Sequence, residues 1–383
     1  MLASQRALFD IPREVAYFNA AGWSPIPKAV AEAGRAGALR KTQPWTLAAS
    51  FGSEQHERAR AAAAAVIHAN PDDVALIPSV GYGVATAAKI FSVPRGSRVL
   101  VLEDDHTSPV LEWMSRAEAQ GFTVETVRRP SDGDWTSAVL EAIAKPGAPP
   151  IAIASISSVH WSDGGAIDLL LIAPALRAKG AGLLVDATHG AGILAMDVGR
   201  IDPDFLIFPT YKWLLGPYGR AFLYVAKRHQ SGVPLEQTSP ARRGVKAEQD
   251  IYFKDMRYLP DARRFDMGER DHFISLEMAA LGIETVTALG RPAIEARLAH
   301  ITRQIGEQAA SLGHRVAVPD PRFRAPHIIS LTFPGGMPSD LVERLAEANV
   351  HAAPRLGRLR VSPHVYNDET DVARLVAALD KAL

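Results

Sequence analysis

Six short apolar runs through the first two thirds of the chain leave few folds open. DVALIPS (73–79), SRVLVLED (97–104), PIAIASISS (150–158), GLLVDAT (182–188), DFLIFPT (204–210) and AFLYVAK (221–227) are nearly continuous in Val, Ile, Leu and Ala. A strand with one wet face alternates polar and apolar residues, so a run without alternation is a strand covered on both faces. Helix-patterned stretches lie between them, including 83–91, 108–121 and 168–180, the last closed by Lys-Gly, a common C-terminal signature. This alternation predicts an α/β fold: a mostly parallel sheet sandwiched by helices, with ligands at the carboxyl ends of the strands.

The pattern breaks over 231–272, which is polar, Arg-rich and without periodicity, yet holds Tyr252, Phe253, Tyr258 and Phe265. We read it as a long functional loop region. Beyond it, helices around 273–289, 291–312 and 339–349, strands at 327–334 and 358–363, and a closing helix predict a smaller α+β domain. The expected division is a large domain over 21–245, a functional loop region over 246–272 and a small domain over 273–383, with residues 1–20 packing on the small domain. The run AAAAA at 61–65 is good helix former.

Charge and cysteine content exclude whole classes of function. Lys plus Arg (42) equal Asp plus Glu (42), so there is no electrostatic case for nucleic acid or an anionic membrane surface. With no cysteine, disulfides, thiolate metal sites and cysteine nucleophiles are all ruled out. No metal site is expected. The opening stretch MLASQRALFDIPREVAYF has charges throughout and no apolar core of a signal peptide. No apolar run approaches a membrane span. A soluble, cytoplasmic protein is the expectation.

Lys212 is the residue that asks for an explanation. It sits in TYKWLLGPYG (210–219), directly after the apolar strand run 204–210 and among aromatic residues. A surface lysine whose stem covers apolar area is one reading. A desolvated amine with a depressed pKa, able to act as nucleophile or base, is the other. Gly216-Pro217 and Tyr218-Gly219 break the chain into a turn that would fix the lysine.

Two further elements would face the same crevice. Asp186 ends the run 182–186, where its carboxylate either caps the next turn or points into the crevice. In IPSVGYGVATAAKIF a strand ends at Ser79, Gly81 and Gly83 allow close backbone approach, and a helix begins. Its free amides and dipole suit a phosphate, although two glycines alone are a weak sign. Lysine, carboxylate and phosphate cradle together are what pyridoxal 5′-phosphate requires.

The motifs also carry a resemblance. YFNAAGWSPIPKAV (17–30), DATH (186–189) followed by TYKWLLGPYG, and RLRVSPHVYNDETDVARL (358–375) resemble, in this order, the signatures of class V, fold-type I pyridoxal-phosphate enzymes. That superfamily includes aminotransferases, cysteine desulfurases, isopenicillin-N epimerase and kynureninase. The resemblance implies a fold-type I large domain with a mixed, mostly parallel sheet, a smaller C-terminal α+β domain, and a homodimer with shared active sites. It makes Lys212 the Schiff-base lysine and Asp186 the partner of the pyridine nitrogen. His106 falls where a ring stacks on the cofactor, and His189 where the family has Gln or His beside it. Ser79, Gly81 and Tyr82 form the phosphate loop, Thr210 and Tyr211 reach the phosphate, and His160 approaches the phenolate oxygen. Arg360 holds the substrate α-carboxylate, with Asn19 and Ala21 on the substrate side. His106 and His160 also read as ordinary satisfied histidines, and Arg360 as a surface ion pair. The family's Gly-Thr is replaced in FDMGERDH by Glu269 and Arg270; Arg270 is a candidate for the neighbour's phosphate or the substrate's far end.

The chemistry so implied acts on the α-amino group of an amino acid, a small-molecule substrate, with a keto acid as a second substrate if the reaction is transamination. Transamination is the first expectation because it needs no further specialised group. A β-lyase or kynureninase-like cleavage is second, epimerisation third, and a non-catalytic effector-binding protein is the alternative of another class. Persulfide formation on an enzyme cysteine is excluded.

Overall fold

The computed structural model describes residues 1–383. Its central sheet holds β1 (Val74–Ile77), β2 (Arg98–Leu102), β3 (Thr123–Val127), β4 (Ile151–Ser157), β5 (Gly182–Asp186), β6 (Phe205–Pro209) and β7 (Ala221–Val225). The order is β1-β7-β6-β5-β4-β2-β3. Neighbours from β3 to β6 run parallel, and only β7 opposes its neighbours β6 and β1. Successive side chains divide between the two faces with the period of a strand. Leu184, Phe205, Ile207, Leu223 and Val225 pack in one apolar cluster. Leu183, Val185, Leu206, Phe208 and Phe222 pack in another on the opposite face. Burial on both sides is why the runs carry no polar alternation, and the mostly parallel α/β sheet is as expected from them.

Two elements differ from expectation. Strand β3, TVETV at the sheet edge, was not among the apolar runs because Thr123 and Thr126 are exposed. The segment read as loop contains an antiparallel hairpin, Arg242–Val245 with Phe253–Tyr258. Its second strand is largely exposed, so no buried face imposes a period on the sequence.

The small sheet joins Ile329–Leu331, Arg358–Val361 and Ala353–Arg355 in antiparallel fashion. Its apolar cluster draws on the helices Arg291–Ala310, Leu341–Glu347 and Glu369–Ala382, and takes in Ala16 and Phe18. Ala16–Tyr17 also pairs in parallel with Val350–His351. The helix Ser275–Leu289 faces the other way: Leu276, Ala280, Ile283 and Val286 belong to the large cluster. No helix is long and apolar enough to cross a membrane, and no cluster of His, Asp or Glu is placed to hold a metal ion.

One contact of that helix bears on Lys212. A Cβ on Gly282 would stand 2.6 Å from the Leu214 carbonyl oxygen and 2.9 Å from the Leu215 carbonyl carbon, in the turn that follows the lysine. Backbone atoms cannot swing aside as a side-chain tip can. Leu215 itself has φ 56°, a left-handed conformation that a side chain disfavours, so the turn depends on its surroundings. Gly282→Ala is expected to destabilise the fold by about 1–3 kcal/mol. A urea midpoint equal to the parent's would show that the helix does not brace this turn.

Candidate active site

The carboxyl ends of β1, β2, β4, β5 and β6 open on one cleft of ≈ 260 Å³. Ser79 and Gly81 enter it after β1, His106 after β2, and Ser157 and Trp161 at and after the end of β4. Asp186 and His189 enter after β5, and Tyr211 and Lys212 after β6. The surface-lysine reading is therefore wrong: Lys212 is buried. Burial of the amine first, and the Arg360 charge second, lower its pKa to about 7, against the pull of Asp186.

The only polar contact of Lys212 Nζ is His189 Nε2, at 3.3 Å. Trp213 Nε1–H donates to His189 Nδ1 at 3.0 Å. Because an indole can only donate, Nδ1 must accept, and the imidazole proton sits on Nε2, facing the lysine. Burial and the charge of Lys212 hold His189 well below its ordinary pKa, so it stays neutral. Below it, His327 Nε2–H donates to the His189 carbonyl at 2.7 Å, and His364 Nε2–H to the Trp213 carbonyl at 3.2 Å. The sequence reading missed these two histidines, since nothing near them in the chain hints that they meet at Trp213.

This neutral imidazole cluster sets an acid limit. Burial lowers His364 to about 4 and His327 to about 3. An unfolded chain takes up protons near pH 6.5, while these side chains resist until pH 3–4. Stability is therefore expected to fall as pH drops below 6.5, by up to about 1.4 kcal/mol per pH unit per histidine. Urea unfolding between pH 7 and 4 reads the slope, and His364→Gln should flatten it; an unchanged slope would assign the acid sensitivity elsewhere.

Asp186 meets both of its readings. Its Oδ1 accepts the Thr188 amide at 2.9 Å, which caps the turn, and the buried carboxylate lines the cleft with no cationic partner. His106 lies across the cleft, its pKa lowered by burial while Asp186 pulls it up. Its amide donates to Asp105 Oδ1 at 2.7 Å, and Ser157 Oγ donates to the same carboxylate at 2.7 Å. Asp105, raised to about 6 by burial, thus positions two residues of the cleft wall.

At the other end, Ser79 caps the helix Val80–Ile90, accepting the Tyr82 amide on its hydroxyl at 3.1 Å and the Gly83 amide on its carbonyl at 3.2 Å. The amides of Val80 and Gly81 are left without protein acceptors, and both residues line the cleft. A Cβ at Gly81 would meet only the Ser79 and Ser108 hydroxyls, at 4.0 Å, so the approach is open. Arg220, also on the wall, donates through Nε to Ser275 Oγ at 2.7 Å. Sequence reasoning did not single it out; an arginine closing a Gly-rich turn before an apolar strand was the available sign.

Other expected residues lie outside the cleft. His160 is fully buried behind it, stacked on Trp135 at 4.7 Å and bonded through Nε2 to the Glu103 carbonyl at 3.0 Å; it is the satisfied histidine, and Ser157 and Trp161 occupy the wall instead. The Thr210 hydroxyl is engaged by the Pro217 carbonyl at 2.7 Å. The Tyr82 side chain faces Glu236. Arg270 pairs with Asp266 at 2.6 Å, and Asp266 also holds the buried Arg60 at 2.8 Å, so Arg270 is tied to a structural ion-pair network. Arg360 is no surface ion pair. It is buried, donates to the Trp161 carbonyl at 2.7 Å and weakly to Asn19 Oδ1 at 3.4 Å, and its Nε has no partner. Burial lowers it to about 9. Ala21 is buried too, its amide donating to Ser362 Oγ at 3.0 Å.

Comparison with known proteins agrees with this geometry. The family model "Aminotransferase class-V" matches residues 16–375. An uncharacterised aminotransferase of Bacillus subtilis is 28% identical over 84% of this chain and 82% of its own. Isopenicillin N epimerase of Streptomyces clavuligerus is 28% identical over 84% and 83%. Among solved structures, the apo cysteine desulfurase of Thermococcus onnurineus superposes with a TM-score of 0.85 at 20% identity, covering 100% of this chain and 98% of that one. A match that spans both domains and every strand end facing the cleft places the chain in the class-V aminotransferase family, whose members use pyridoxal 5′-phosphate.

Proposed function

We propose that this protein is a pyridoxal-phosphate enzyme that transaminates an α-amino acid. One observation carries the reading: a buried amine titrating near neutrality and a buried, cation-free carboxylate stand apart on adjacent strand ends of one cleft. Neither partners the other, so each is available to a third group between them. The residues fit the cofactor. The amides of Val80 and Gly81, with Ser79 and Arg220, would hold its phosphate; Asp186 its pyridine nitrogen; His106 its ring face; Lys212 its aldehyde carbon.

When bound, the cofactor supplies an electron-withdrawing ring that takes up the electron pair of a bond broken at the substrate Cα. The chain's own residues supply the rest. Arg360 offers a buried fork to the α-carboxylate. Nζ of Lys212, its pKa lowered by burial to about 7, takes a proton from carbon and returns it to another carbon. His189, with its proton on Nε2, favours the unprotonated amine and cannot take the proton itself. One base on one face suffices for transamination.

A homodimer with shared sites goes with this reading, supported by the exposed Ile251, Tyr252, Phe253 and Met256 on the 242–258 hairpin. So does a cytoplasmic setting, supported by the absence of cysteine. A lyase is the second reading, favoured by Tyr211 stacked on Tyr218 at 3.8 Å beside the cleft. Burial raises the Tyr211 phenol, which keeps it protonated as a donor to a leaving group. The test is product formation from an amino-acid panel by the cofactor-loaded enzyme. Keto-acid product that requires an added keto-acid acceptor supports transamination. Pyruvate or alanine released without an acceptor establishes the lyase, and loss of chirality alone the epimerase.

A further inference from the structure

Arg360, held against the cleft-lining Trp161, is not the only guanidinium there without a carboxylate partner. The strands Ala353–Arg355 and Arg358–Val361 pair with Ala353 opposite Arg360 and Arg355 opposite Arg358. Opposed residues share a face, as do residues two apart, so Arg355 and Arg360 project from the same side as diagonal neighbours, roughly 7–8 Å apart at the backbone. Arg358, on that face too, turns to a separate hollow lined by Asp163 and Asp320.

Trp161 joins the two arginines. Arg360 donates to its carbonyl, and the Arg355 guanidinium lies over its ring at 5.9 Å from the centroid. The indole is itself fixed: its Nε1–H donates to the Asp104 carbonyl at 2.6 Å, and its ring meets His106 edge-on at 6.0 Å. A guanidinium over a fixed aromatic plane has its fork pre-oriented. Arg355 donates only to the carbonyl of its neighbour Pro354 and forms no ion pair. Its charge also bears on the cleft, lowering both Lys212 and Arg360.

The charges here do not balance. Arg360 and Arg355 both stand against Trp161 of the cleft wall, whose only lining carboxylate, Asp186, pairs with neither, and the phosphate end of the cleft has its own donors in Val80, Gly81 and Arg220. A substrate α-carboxylate answers Arg360 alone. We propose that Arg355 is a specificity-determining residue that binds a second carboxylate, on the substrate's side chain, so that the preferred substrates are acidic α-amino acids. The inference rests on the pyridoxal-phosphate reading above and narrows its substrate class.

The experiment uses cofactor-loaded enzyme and two readouts. Perturbation of the visible cofactor band is titrated with succinate and glutarate against propionate and butyrate. Initial rates are measured with aspartate and glutamate against alanine, norvaline and glutamine. The expected result is tighter binding of the dicarboxylates and preferential turnover of the acidic amino acids. Arg355→Gln should raise KM for the acidic substrates by about tenfold to a hundredfold. Because neutral substrates lack the second carboxylate, kcat/KM should fall at least about tenfold more for the acidic substrates than for the neutral ones, and Arg355→Lys should recover part of the loss. Equal response to mono- and dicarboxylates, a preference for neutral substrates, or an equal loss for both classes in Arg355→Gln overturns the assignment while leaving the cofactor reading intact. A protein that forms no band with pyridoxal phosphate removes the cofactor reading and this assignment together.

Discussion

Lys212→Ala is expected to give a folded protein that binds pyridoxal phosphate without a covalent link. It should show no borohydride-reducible adduct, and its turnover should fall by about 10⁴-fold. Two functions are lost together, the covalent hold and the proton carrier, and His189 cannot replace the second because burial keeps it neutral. A second, independent signature concerns the cofactor-free protein. The lysine titrates near 10.5 unfolded and at about 7 folded. The unfolded chain therefore binds more protons between pH 7 and 10.5, and stability should rise with pH across that window. Urea unfolding of the cofactor-free parent should show this rise, and Lys212→Ala should abolish it. Intact turnover in Lys212→Ala, or a reducible adduct at another lysine, would remove Lys212 from its role.

Asp186→Asn is expected to be nearly as damaging to turnover and much less so to the fold. The amide oxygen can still accept the Thr188 amide, so the turn keeps its cap. What disappears is the buried negative charge on the wall, and turnover should fall by about 10³-fold. His106 reports on the same change without catalysis. Asp186 holds its imidazole up against burial, so the asparagine should let its pKa drop further, measurable by NMR titration of the cofactor-free protein. Full activity in Asp186→Asn would leave Asp186 as a turn cap only.

The parts of this molecule that could be read from its sequence are those whose physics is local. Burial on both faces writes itself into a strand as unbroken Val, Ile and Leu, and the site residues at strand ends inherit their position from that register. Ser79, His106, Asp186 and Lys212 therefore reach the cleft together. Residues whose environment is made by distant partners were not legible. His160 has a polar side chain at a plausible spacing, yet Trp135 stacks on it from 25 residues away and turns it inward. Arg270 looks like a free cation until Asp266 and Arg60 are seen beside it. Conversely, Arg355 looks like one of many loop arginines, and only the strand register places it beside Arg360. The hairpin at 242–258 was hidden because its exposed strand has no face to bury.

The bracing of the lysine turn also has a consequence for the order in which this protein is made. Three supports of Lys212 and its turn are encoded after it: Gly282 on the helix against Leu214 and Leu215, His327 under His189, and His364 under Trp213. Until His364 has left the ribosome, the sheet can form but the amine lacks part of its support. Firm capture of the cofactor thus waits for the segment that carries His364, and a product truncated before it would keep most of the central sheet while losing part of its grip on the reactive lysine.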